Sequence, residues 1–255
     1  MHPGTAERVD IFGVQISVTD YEDATQQIMA AGKQRRSFTM SALATHGLME
    51  AVHDPAYRDV VNNLDLATPD GQPVRWAMNI LHKSGLEERV YGPNLTWRVC
   101  GEAADAGVGI YLYGSTPQTC EAFVSAILRE WPHAIISDVQ PDRFRDATPE
   151  EDAQDIERIN NSGAGIVLVG RGCPRQEKWV GAHKDKVHAA MMAVGAAFDY
   201  HAGQLRRPPA RMQQYGLEWL WRLGLEPRRL FKRYAVTNSQ YVFELAKAVI
   251  KTRRT

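Results

Sequence analysis

Short apolar runs of strand character alternate along this chain with segments whose apolar positions recur at helical spacing. Residues 38–43 read as a strand, followed by one helix over about 48–61. Residues 64–68 form a second apolar run that closes on Pro69-Asp70-Gly71, a turn signal, before a helix over about 74–82. A third strand, 109–113, breaks at Gly114-Ser115-Thr116-Pro117 ahead of a helix over 118–130, and a fourth covers 135–139. Thr148-Pro149-Glu150-Glu151 supplies an N-cap, a proline at the first helical position and acidic residues in the first turn. Residues 165–169 and 189–194 complete the strands, with a Gly/Pro loop at 170–174 and a helix from Gln176 between them. This alternation predicts an α/β fold, a Rossmann-like open sheet with helices on both faces.

The last fifty residues break the pattern, being helical in period with no strand candidate. Pro208-Pro209 marks a boundary, which divides the chain into a main α/β domain over 1–204 and a small helical appendage over 205–255. Charge separates along the same line. The chain carries 30 Lys/Arg and 30 Asp/Glu, but from 201 to 255 twelve Lys/Arg stand against three Glu. The tail is therefore +9 and the preceding 200 residues −9. Such a tail suits an anionic partner, whether phosphates, lipid headgroups or nucleic acid, and equally a solvated helical face. Val242, Leu245 and Val249 share one face of its last segment, as on a membrane-surface helix or one packed on the main domain.

With 255 residues, 44% of them hydrophobic, the chain can bury one large core. No apolar run reaches the roughly 18–20 residues that span a bilayer. Residues 1–10 show no signal pattern, and Cys100, Cys120 and Cys173 are too scattered for a disulfide framework or zinc site, so a reducing cytoplasm is expected.

In an open α/β sheet, ligands bind beyond the carboxyl ends of the strands. Four loops there carry polar or Gly-rich residues: 68–71, 114–117, 170–177 and 195–199. Gly114-Ser115 opens a helix whose first N–H groups suit a phosphate, although Gly-Ser before a helix also serves as an ordinary cap. In 170–177, Gly170 and Gly172 permit close backbone approach, and Gln176 both donates and accepts, although an ordinary strand–helix turn looks the same. Asp70 ends a strand at the lip of the cleft, where a carboxylate is either a turn residue or a base for a hydroxyl. No Asp-x-Asp pair and no His/Cys ligand spacing offers a metal site. A diphosphate would then need side-chain cations, and the tail offers Arg222, Arg228, Arg229 and Arg233.

The segments 70–74 (Asp-Gly-Gln-Pro-Val), 89–93 (Arg-Val-Tyr-Gly-Pro), 172–179 (Gly-Cys-Pro-Arg-Gln-Glu-Lys-Trp), 194–199 (Val-Gly-Ala-Ala-Phe-Asp) and the Trp/Arg-rich stretch 216–234 resemble those of the WecG/TagA/CpsF glycosyltransferases, in the same order. The resemblance spans roughly residues 9–241. It implies an inverting, metal-independent enzyme without a cofactor, moving a sugar from a UDP-sugar to a polyprenyl-diphosphate-linked acceptor in cell-surface polysaccharide or teichoic acid synthesis. By that likeness Asp70 is the base and Gln176 lies near the active site, while the strand-end loops themselves offer Gly71, Gly114, Ser115, Gly170, Gly195, Ala196 and Asp199 as further substrate-binding candidates. Arg222, Arg228, Arg229 and Arg233 complete the donor-diphosphate site from the appendage, which meets an anionic membrane surface on the cytoplasmic side. Self-association, as a homo-oligomer, is also known in the family.

One position departs from the family pattern. Where it commonly has Thr-x-Asn, this chain has Ala42-Leu43-Ala44, leaving Thr45 and His46 as substitute contacts. That loss supports one alternative, a catalytically degenerate membrane-associated binding protein of the same fold. A nucleotide-cofactor oxidoreductase is disfavoured because no Gly-x-Gly-x-x-Gly follows the first strand. Trp219 and Trp221, read as packing residues of the appendage, disfavour a nucleic-acid partner.

Overall fold

Six parallel strands form one open sheet, and helices cover both of its faces. The computed structural model describes residues 7–252, apart from the side chains of Ala210, Arg229 and Arg233. A small antiparallel hairpin of β1 (Arg8–Ile11) and β2 (Val14–Ser17) precedes the sheet, and α1 (Tyr21–Lys33) follows it. Next come β3 (Phe38–Leu43), α2 (Thr45–His53), α3 (Pro55–Asn62), β4 (Leu66–Pro69), α4 (Gln72–His82) and α5 (Gly92–Asp105). The chain continues through β5 (Ile110–Gly114), α6 (Pro117–Glu130), β6 (Ile136–Gln140), α7 (Pro149–Asn161), β7 (Ile166–Gly170) and α8 (Arg175–Ala182). It closes with β8 (Ala190–Ala193), α9 (Ala197–His201), α10 (Ala210–Gln214), α11 (Glu218–Leu225) and α12 (Pro227–Thr252). The sheet order is β4-β3-β8-β7-β5-β6.

Alternation along the strands explains the two-sided covering. In β7, Ile166 and Leu168 join the core beneath α1, α5, α6 and α9, while Val167 and Val169 pack with Trp179 and Val180 of α8. A third cluster fills the space between the hairpin, α2, α3 and α4, and takes in Tyr241 of α12.

The single helix expected over 48–61 is two helices. Pro55 cannot continue α2, and it holds Asp54 in an extended conformation. The Asp54 carboxylate then caps α3, accepting from the N–H groups of Ala56 (3.0 Å) and Tyr57 (3.2 Å). At the start of α7, Thr148 and Glu151 form a reciprocal capping box, as the residue pattern there predicts for a helix start.

The appendage helices are held unevenly. Leu230 and Tyr241 of α12 are buried, and the Tyr241 hydroxyl donates to the Pro73 carbonyl at the start of α4. Tyr241 and Leu245 therefore face the main domain, whereas Val242 is 63% exposed on a different side of the helix. None of the residues of α11 is buried. Trp219 meets Tyr234 edge-on at 5.9 Å, and Trp221 donates to the Arg206 carbonyl, so both tryptophans pack within the appendage. Among the described residues, no helix is long and apolar enough to cross a membrane.

Candidate active site

The carboxyl ends of β3, β4, β5, β7 and β8 converge, and the helices that follow them start around one cleft. Asp70 leaves the end of β4, with its own N–H on the Leu43 carbonyl (3.3 Å) and the neighbouring Pro69 carbonyl held by Val90 N–H (3.0 Å). Its Oδ1 accepts from the Gly92 N–H, the first of α5, so the carboxylate caps a helix whose own N-cap residue, Tyr91, provides no side-chain bond. A Cβ at Gly92 would lie 2.9 Å from the Ala42 Cβ and 3.2 Å from that Oδ1, so only glycine allows this approach.

Although part of Asp70 reaches solvent, its carboxyl is desolvated, and burial pushes its pKa up to about 6. Arg89, the Gly92 N–H and Arg222 oppose that rise, while Glu218 adds to it. Arg89, 6% exposed, donates through both terminal nitrogens to the Glu218 carboxylate and lies over the Tyr91 ring at 4.3 Å. Tyr91 in turn meets Tyr200 edge-on at 6.1 Å. The structure thus gathers two carboxylates, Asp70 and Glu218, with Arg89, Tyr91 and Tyr200, and holds Arg222 within electrostatic reach, drawing on the end of β4, the segment before α5, α9 and α11. Such a group suits a base beside a developing anionic leaving group.

Thr45 stands at the first position of α2, where its Oγ1 would be 3.6 Å from a Cβ on Gly71, so both belong to the Asp70 corner. His46 is next along α2, with Nδ1 3.7 Å from Glu50, and it lines a groove between α2 and α12 of about 620 Å³ that also includes His53, Lys232 and Val236. Ala44 is the N-cap of α2 and makes no side-chain cap bond. Restoring a cap there with Ala44→Asn is expected to add about 1 kcal/mol of stability. Thermal denaturation should show this as a Tm increase of about 2–4 °C; an unchanged Tm would mean that the α2 amides are already satisfied.

Gly114 and Gly170 are register partners at the ends of β5 and β7, and the Ser115 N–H donates to the Gly170 carbonyl at 2.9 Å. Helix α6 begins beyond them, capped by the Thr116 hydroxyl on the Thr119 N–H, so the donors of that first turn are partly occupied. Ser115 also links to the next loop, its carbonyl accepting from Asp142 N–H. Asp142 pairs with Arg171 (3.1 Å) and Arg175 (3.2 Å), a basic rim on this side of the cleft.

Gln176 is 4% exposed and braces two loops. Its Oε1 accepts from the Gly172 N–H (3.1 Å) and sits where a Cβ on Gly195 would come within 3.0 Å. Its Nε2 donates to Glu177 Oε1, which also accepts from the Ser41 hydroxyl on β3. Burial holds the Glu177 carboxyl above the usual carboxylate range, against the pull of Gln176 and Ser41. Gly195 and Ala196 shape the entry to α9, and the Asp199 carbonyl accepts the N–H groups of Gln204 and Leu205 at 3.0 Å.

Arg222 of α11 lies within electrostatic reach of Asp70, and its Nε is buried without a hydrogen-bond partner. Arg228 is exposed at the start of α12 and makes no part of that cluster, while the side chains of Arg229 and Arg233 lie outside the described residues. Four contributors escape a position-by-position reading of the sequence: Arg89, Tyr91, Glu177 and Glu218. The sequence signal for the first two is Tyr91-Gly92-Pro93, a proline-marked helix start whose leading N–H needs an acceptor. Among the described residues no three His, Cys, Asp or Glu gather as a metal site. The family model described as Glycosyl transferase WecG/TagA/CpsF family matches residues 9–255.

Proposed function

Because the chain belongs to the WecG/TagA/CpsF glycosyl transferase family, we propose that it transfers a sugar from a UDP-sugar to a polyprenyl-diphosphate-linked sugar acceptor, with inversion and without a metal ion. The observation that carries this reading is the Asp70 carboxyl, desolvated at the end of β4, bonded to the Gly92 N–H, with its pKa pushed up to about 6 and within electrostatic reach of Arg89 and Arg222. A base of that pKa is largely ionised at neutral pH and still strong enough to take a proton in the transition state.

The reaction is a single displacement. Asp70 removes the acceptor hydroxyl proton as that oxygen bonds to the anomeric carbon, and the bond from that carbon to the diphosphate oxygen breaks on the opposite face. UDP departs with the bonding pair. In this reading Arg222 takes up its charge, and the loops at Gly114, Gly170 and Gly195 carry the rest of the donor. The +9 tail and the exposed Phe231, Val242 and Phe243 of α12 suit a peripheral contact with an anionic membrane surface on its cytoplasmic side.

The test is to incubate the purified chain with a panel of UDP-sugars and a short-chain polyprenyl-diphosphate sugar in EDTA, following UDP release and product mass. Acceptor-dependent transfer in EDTA is expected. Transfer that requires added metal would overturn the metal-free step, and no transfer from any donor would overturn the activity. Arg222→Ala should weaken UDP binding about tenfold or more, the scale of losing a hydrogen bond to a charged group. Unchanged affinity in calorimetry would remove Arg222 from the donor site.

A further inference from the structure

Helix α11 carries one deeply shielded polar link to the main domain. None of its residues is buried, and Leu220 and Leu225 are 46% and 47% exposed. Its Glu218, by contrast, forms a two-pronged pair with Arg89 in which the side chains are only 16% and 8% exposed. Arg89 is fixed in turn by the Tyr91 ring beneath it. Glu218 and Arg222 are four residues apart and so occupy one face of the helix. The buried Nε of Arg222 has no partner, so the helix it rides on sets its position.

We propose that Glu218 is a positioning residue for the transfer reaction: by pairing with Arg89 it docks α11 and thereby places Arg222 beside Asp70. The site is complete only while this pair is formed. The planar fork of a guanidinium accepts a carboxylate in one orientation, so the pair fixes the rotation of α11 as well as its distance. Removing one partner leaves a desolvated charge next to Asp70, which favours release of the helix into water. The inference rests on Asp70 being the base only for its kinetic arm.

The full-length chain, Glu218→Gln and Glu218→Asp would be compared in two ways. Amide hydrogen exchange over 217–225 reads docking directly, with strands β3 and β8 as an internal control. Glu218→Gln is expected to speed exchange in that segment about tenfold, with Glu218→Asp in between and the strands unchanged. The second readout is the pH profile of kcat/KM. The charged and titratable groups acting on Asp70 are Arg89, Arg222, Glu218, Tyr21, Tyr91 and Tyr200. Loss of the Glu218 charge and entry of water favour ionised Asp70, while withdrawal of Arg222 opposes it; the Glu218 effect is the larger of the two, so the acidic limb should move to lower pH while kcat falls about tenfold. A variant that is merely less stable would lose amplitude without moving the limb. Because Glu218→Gln leaves Arg89 without its carboxylate, the double variant Arg89→Gln with Glu218→Gln serves as the neutral counterpart: it lacks the stranded charge and should expose α11 less than Glu218→Gln but more than wild type. Wild-type exchange over 217–225 in every variant, or an unmoved acidic limb, would overturn the proposal. A chain that transfers no sugar, yet shows faster α11 exchange in Glu218→Gln, would overturn the proposed activity and leave the docking role standing.

Discussion

Asp70→Asn is expected to lower turnover by about two orders of magnitude or more, the scale of losing a positioned general base. The substitution is nearly isosteric, and Asn Oδ1 can still accept from the Gly92 N–H, so the start of α5 should stay in place. UDP affinity should therefore change little. In the wild type, kcat/KM should fall below about pH 6, where burial places the Asp70 pKa, and Asp70→Asn should abolish that limb. The same burial has a stability consequence of opposite sense. The folded-state pKa lies above the ordinary carboxylate value of 3.8, so between about pH 4 and 6 the native state holds a proton that the unfolded chain has released. The ionised carboxylate thus costs stability as pH rises through that window. Asp70→Asn should be more stable than wild type at pH 7 by roughly 2–3 kcal/mol, since each tenfold change in an acid dissociation constant is worth about 1.4 kcal/mol. The advantage should disappear below about pH 4. Initial rates of UDP release and thermal melts across pH 4–8 measure both effects; near-normal turnover would remove Asp70 from its role.

The sheet is legible in sequence because its central strands are buried on both faces and read as continuous apolar runs. All six appear at their expected places to within two residues. Helix α5 is harder to read because much of its buried face is small, with Gly101 against Trp131 and Ala103 and Ala104 beside it, so no strong apolar period stands out. Helix α1 and the hairpin escape for a related reason: α1 mixes Thr25 and Gly32 into its buried face, and β1 and β2 are only four residues long. Asp70 is legible because a single loop carries it, directly after an apolar strand. Arg89 and Glu218 are not, since they stand 129 positions apart and neither flanking sequence encodes the pairing. Glu177 looks like an ordinary acidic residue in a first helical turn, and only the closure of β3 against α8 turns it into a buried carboxyl. Local chemistry therefore reveals the candidate base, while the groups that set its environment come from tertiary contacts.

Gly114→Ala is expected to have the largest effect on stability. Gly114 ends β5 with φ near +118°, and a Cβ there would fall 2.6 Å from both the carbonyl carbon and oxygen of Gly170. Those are backbone atoms of the neighbouring strand, so no side-chain rotation relieves the clash. Relief requires β5 and β7 to separate where Ser115 N–H bonds Gly170, which also displaces Asp142 and its two arginines. A cost of about 3 kcal/mol or more follows from combining a forbidden φ with a backbone overlap, and Tm should fall by about 6–12 °C. Gly172→Ala provides the comparison, because Gly172 also has positive φ (+75°) but a Cβ there meets nothing within 4 Å. It should lose only the conformational share, about 1–2 kcal/mol. UDP affinity divides the two variants again: Gly114→Ala should weaken it about tenfold if this strand pair cradles the donor. Equal Tm losses in the two variants would show that the left-handed backbone, and not the contact with Gly170, demands glycine at 114.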